Sequence, residues 1–136
     1  MDAKTDKTTI TKAFNKHFFE FMDDMLSIYP DNKVLRGGRN SFDTFRRLNP
    51  TSIIKVWYTF IYLPYRNEID QGNMDYFLDK DYSSDLNRAI LHNKNKVLDQ
   101  IDALREPIRE MNEVSRQHTM RYLQNLCKLS QAYSSL

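Results

Sequence analysis

IIKVWYTFIYLPY, residues 53–65, carries the only tryptophan of the chain and its densest run of large apolar side chains. Asn49-Pro50-Thr51-Ser52 stands just ahead of it, a short polar acceptor followed by a proline. That order predicts a helix start near Pro50, because a proline in the first turn gives up an N–H that has no partner there. Ile53, Val56, Trp57, Phe60, Ile61 and Pro64 recur at three- and four-residue steps, and Ile54, Tyr58 and Tyr62 form a second apolar row. A helix apolar around most of its girth is enclosed by other helices, so the remaining segments are expected to pack around this one. The bulk of its aromatic rings points to core packing ahead of a ligand pocket. Pro64 leaves two arrangements open: one helix kinked there and running to Gln71, or a first helix ending near Tyr62 and a second starting at Pro64. Gly72 then supplies a left-handed helix stop.

The chain has 136 residues and a net charge of +2, with 40% apolar residues and a mean hydropathy of −0.68. A chain of this length buries about two-thirds of its unfolded surface without staples. No apolar run approaches the roughly 20 residues of a membrane span, and Lys55 and Arg66 interrupt or flank the best stretch. The first residues, MDAKTDKTTITK, hold no apolar signal core, which leads to the expectation of a cytosol-like compartment. Cys127 is the only cysteine and falls beside Leu123 and Leu126, as a small buried hydrophobe would. Three glycines, four prolines and the lack of sustained strand-like alternation give an all-α fold class. The expected architecture is an irregular bundle of about five helices around the aromatic-rich one, forming one domain over residues 9–136 after a frayed stretch at 1–8.

From Thr9 the pattern is helical, with Ile10, Phe14, Phe18, Phe21, Met22, Met25 and Ile28 or Tyr29 on one face and Phe19 off it. Residues 33–40 read as a connector through Gly37-Gly38. Ser41 then caps a short helix whose Phe42, Phe45 and Leu48 face inward. Lys33, Arg36, Arg39, Arg46 and Arg47 stand against one acid, Asp43, making residues 33–47 the most basic surface of the chain. A glycine-flanked basic loop can hold phosphate through backbone N–H groups and guanidinium forks. RGGRNS lacks the Gly-Lys-Ser/Thr ending of a P-loop, so sequence-independent nucleic-acid contact is the second reading and a solvated turn the first.

Asp75, Asp79, Asp81 and Asp85 form an acidic cluster suited to pair with that basic surface. Its DKDYSSD stretch departs from a calcium loop, with Ser84 at the glycine turn and Ile90 at the final glutamate. His17, Glu20 and Asp24 lie one turn apart, but no Glu-x-x-His occurs to supply a facing half-site. No motif for a metal, a cofactor or catalysis stands in the chain, so a non-enzymatic interaction protein is the first reading and an enzyme of unrecognised class the third. Val97, Ile101, Leu104, Ile108 and Met111 alternate by four and three residues, the spacing of a helix–helix seam. Asn93, Val97, Ile101 and Leu104 are therefore the candidate partner face, either for a second copy or for another protein, with Pro107 breaking or bending the run. Ile108, Met111, Tyr122, Leu123, Leu126, Leu129 and Tyr133 mark the inner face of the last helix.

Three passages, KHFFEFMDDMLSIYPDN (16–32), IIKVWYTFIYLPYRNEIDQGNMDYFLDKDYSSDL (53–86) and LREPIREM with QHTMRYLQNLCKLS near the end, resemble a group of small uncharacterised proteins encoded by large DNA viruses of algae and other protists. The resemblance brings no catalytic residues with it. It implies a setting, the host cytoplasm or a virion, and a small helical protein that serves assembly or interaction through protein partners.

Overall fold

The structure, a computed structural model, describes residues 3–73 and 105–136. Regular structure there is helical throughout: α1 (Ala3–Ile28), α2 (Lys33–Leu48), α3 (Ser52–Trp57), a π-helical segment (Tyr58–Tyr62), α4 (Leu63–Asp70), α5 (Arg105–Glu110) and α6 (Glu113–Ser134). The fold is all-α. Helix α3, the π-helical segment and α4 follow one another without a break, so the described helices pack as an irregular bundle of five. The two long helices, α1 and α6, lie against each other and both contact the Trp57 region.

Trp57 is fully buried, as are Phe14, Phe18, Phe21 and Phe42. Phe14 and Phe18 each meet the Trp57 ring edge-on, at 6.1 and 6.2 Å, and Phe42 meets Phe18 in the same manner at 4.7 Å. Edge-to-face geometry places the positive rim of one ring against the negative face of the next. The Trp57 indole N–H donates to Cys127 Sγ at 3.3 Å, so the polar tip is satisfied within the core. Asn15 Nδ2 donates to the Pro50 carbonyl and Gln124 Nε2 to the Ile69 carbonyl, tying α1 and α6 to the two ends of the central helix.

Several boundaries differ from those expected. Helix α1 begins at Ala3, so residues 3–8 belong to it, with Asp6 in the first turn where a carboxylate complements the helix dipole. Residues 33–40 are helical, and α2 is one helix of 16 residues. The Asn32 side chain accepts from Leu35 N at 3.1 Å and caps α2 at Lys33, so no second start at Ser41 is needed and both glycines fall inside the helix. Leu48, expected inward, is 80% exposed because it sits in the last turn, just before the chain turns at Asn49.

Pro64 neither ends the helix nor starts a second one. The preceding turn widens, Leu63 N–H bonds to Tyr58 C=O five residues back, and the helix runs on to Asp70. Such a widening accommodates a residue that has no N–H and whose ring crowds the carbonyl four back. Pro64 itself is exposed, and Tyr65 and Ile69 take the inward places. Gly72, at φ 74°, ends α4 as expected. Its N–H bonds to Ile69 C=O and Asn73 N–H to Glu68 C=O, the paired bonds of a Schellman stop.

Pro107 lies inside α5, and the break comes at Asn112, whose side chain accepts from Ser115 N at 2.9 Å to start α6. Replacing Asn32 or Asn112 with alanine removes a helix cap and is expected to cost about 1 kcal/mol each. Urea unfolding of the two single variants would check this, and an unchanged midpoint would mean that the caps are dispensable.

Candidate interaction surface on α2

Because α2 is a helix, Lys33, Arg36, Arg39, Arg46 and Arg47 stand on a regular scaffold and not around a glycine loop. This corrects the phosphate-cradle reading, since N–H groups inside a helix are committed to its own ladder. Most of the guanidinium groups are engaged internally. Arg36 donates to the Pro30 carbonyl. Arg39 Nε donates to Asp23 Oδ1 at 2.7 Å, and this bond holds its pKa above the ordinary value. Arg46 pairs with Asp43, and Arg47 reaches the other oxygen of the same carboxylate at 2.8 Å. Arg46 and Arg39 also stand over the ring of Phe19, at 4.4 and 5.3 Å, which explains how Phe19, off the core stripe of α1, is only 6% exposed.

Beside the arginines runs a second row that the connector reading hid. Val34, Gly37, Ser41, Thr44 and Leu48 succeed one another by three, four, three and four residues, so they share one face of α2. Val34 is 62% and Leu48 80% exposed, and a Cβ built on Gly37 would meet nothing within 4 Å. The face is smooth and uncharged with an apolar residue at each end. Lys33, Arg36 and Arg47 flank it, and all three are exposed.

Asn93, Val97, Ile101 and Leu104, the partner face expected from sequence, lie outside the described residues, as do Asp75, Asp79, Asp81 and Asp85. The described end of that seam is core: Ile108 is 1% and Met111 7% exposed, and Thr119 Oγ1 donates to Met111 Sδ. His17, Glu20 and Asp24 are not gathered into one site. His17 lies 3.9 Å from Glu20 and 4.7 Å from the Tyr122 ring, while Asp24 accepts from the Tyr122 hydroxyl. Burial lowers the His17 pKa against the pull of Glu20. The bond to Asp24 pushes the Tyr122 phenol up to about 12. Cys127 is 2% exposed, and burial raises its thiol to about 12.

Fold and surface together define an all-α bundle in which, among the described residues, one amphipathic helix presents a face of small residues between exposed Val34 and Leu48. No family model, no curated protein and no solved structure matches the chain. No described helix is long and apolar enough to cross a membrane.

Proposed function

We propose that the protein is a non-enzymatic helical scaffold that binds a protein partner through the Val34 to Leu48 face of α2. The observation that carries this is Gly37. Glycine inside an exposed helix costs about 1 kcal/mol relative to alanine, and a Cβ at Gly37 meets nothing within 4 Å among the described residues. A backbone laid bare in a row of small side chains, between exposed Val34 and Leu48, suits the close approach of another helix. The exposed Lys33, together with Arg36, whose side chain holds a backbone carbonyl and no carboxylate, favours a helix that carries carboxylates beside its apolar stripe. The resemblance to proteins of large DNA viruses supports a setting in the host cytoplasm or a virion.

Nucleic-acid binding is the weaker reading, because Arg39, Arg46 and Arg47 already hold carboxylates that a phosphate would have to displace.

Gly37→Ala is expected to stabilise the isolated chain by about 0.5 to 1 kcal/mol. Gly37→Leu, whose Cβ meets nothing within 4 Å among the described residues, is expected to leave the fold intact and prevent partner binding. The test compares proteins captured by the full chain from cells that produce it with those captured by Gly37→Leu and by Val34→Glu with Leu48→Glu. A protein retained by the parent and lost from both variants, at unchanged helicity, is the expected result. Equal retention by all three would overturn the assignment, and salt-sensitive retention of RNA or DNA would favour the phosphate reading.

A further inference from the structure

A groove of about 610 Å³ opens between residues 7–15 of α1, the corner at residues 50–51 that follows α2, and the end of α6. That volume lies within the range of ligand pockets. Among the described residues no lining side chain is acidic, and Lys7 and Lys12 are the cations. Lys12 is exposed and makes no ion pair among the described residues, while Lys7 Nζ sits 5.1 Å from the centre of the Tyr133 ring. Tyr133 and Leu136 form the apolar wall.

Two polar side chains in the lining are left without partners. Thr11 and Asn15 are 5% and 6% exposed, and Thr11 Oγ1 and Asn15 Oδ1 are buried with no hydrogen bond. Asn15 Nδ2 is held by the Pro50 carbonyl at 2.9 Å, which fixes the amide so that its free atom is the acceptor. Buried polar atoms are satisfied in nearly all folded proteins, so two orphans in the wall of one groove require a reason. Both belong to α1 and are one turn apart, on the same face as Lys7.

We infer that the groove between α1 and the end of α6 binds a small aryl carboxylate that also carries an N–H or O–H donor. The carboxylate is held by Lys7 and Lys12, and the flat apolar body lies against Tyr133 and Leu136. The donor hydrogen bonds to Asn15 Oδ1, and Thr11, whose hydroxyl is both donor and acceptor, completes the polar contact. Both atoms are enclosed in the groove wall, so the ligand reaches them only where that wall opens. No described residue of α2 lines the groove, although its corner at residues 50–51 follows the end of that helix.

Three probes of nearly equal shape separate the requirements: indole-3-acetate, its neutral counterpart indole-3-acetamide, and 1-naphthaleneacetate, which lacks the donor. Titration of the full chain, followed by the amide NMR signals of Thr11 and Asn15, is expected to show indole-3-acetate binding at least about tenfold more tightly than either other probe. Lys7→Gln with Lys12→Gln is expected to remove that advantage over the amide, at an unchanged melting temperature. Equal affinity for all three probes, an advantage that survives the lysine changes, or no shift at millimolar indole-3-acetate would each overturn the assignment. The last of these would leave water as the partner of the two buried atoms.

Discussion

Replacing Trp57 with alanine is expected to lower the stability of the fold by about 3 to 5 kcal/mol. The indole is wholly enclosed, with Phe14 and Phe18 edge-on against it and Cys127 beneath its N–H. Its loss therefore opens a cavity at the meeting point of α1, α3 and α6. Domains of this size hold only about 5 to 15 kcal/mol in all, so a change of that magnitude corresponds to a fall of about 10 to 20 °C in melting temperature. Trp57→Phe keeps an aromatic ring and gives up mainly the N–H to sulfur contact and part of the volume, so its cost is expected to be a fraction of this. Thermal unfolding followed by circular dichroism decides the matter. A Trp57→Ala midpoint within about 2 °C of the parent would mean that the helix at the centre contributes little to the fold.

The second large effect concerns Cys127. In the folded chain its thiol is expected to react with a disulfide reagent near neutral pH at least about a thousandfold more slowly than in the unfolded chain, since the thiolate is the attacking form. Burial lifts its pKa from 9.0 to about 12, while the hydrogen bond from Trp57 pulls the other way and is outweighed. Labelling should then follow the opening of the fold, not the exposure of a native thiol. Native labelling as fast as that of the urea-unfolded chain would contradict this. The same shift sets a pH dependence. The folded state keeps the proton to higher pH than the unfolded state, so this contribution to stability is full below about 9 and is lost as the pH rises toward about 12. Across that window the loss approaches about 1.4 kcal/mol per pH unit. Cys127→Ala should flatten the slope, leaving the part due to Tyr122, which is raised to about 12 from an ordinary value of 10.0.

The central helix was legible because its signals are local: large rings at helical spacing, a proline near the start and a glycine at the stop. Helix α2 was not, because a Gly-Gly pair inside a basic stretch carries the signature of a turn. The cap at Asn32 and the packing of Leu35, Gly38 and Phe42 override that preference. The basic residues were found, but their partners were not. Asp23 lies 16 residues from Arg39, and Asp24 lies 98 from Tyr122, separations that no periodicity encodes. Buried Ser130 escaped notice for a different reason. Its hydroxyl donates to the Cys127 carbonyl on its own helix, so a residue that reads as surface needs no partner elsewhere. Recognising Val34, Gly37, Ser41, Thr44 and Leu48 as one row required knowing first that 33–48 is a single helix.

The widened turn at Tyr58–Tyr62 also governs angular phase. Trp57, Ile61, Tyr65 and Ile69 are all buried and follow one another at strict four-residue intervals. On an ordinary α-helix each interval of four overshoots a full revolution by about 40°, so the fourth member would have drifted by about 120° from the first. A turn closed through five residues winds less per residue and takes back much of that drift. The segment acts as a phase corrector that keeps one side of a long helix trained on the core. Winding the same five residues as a regular α-helix would rotate everything downstream by much of that drift, whereas deleting one residue within 58–62 would remove the extra residue and the wide turn together and leave the downstream phase nearly unchanged. In the first case Tyr65 and Ile69 would swing off the interior, and the Ile69 carbonyl off Gln124, so the width of this turn keeps the downstream face on the core.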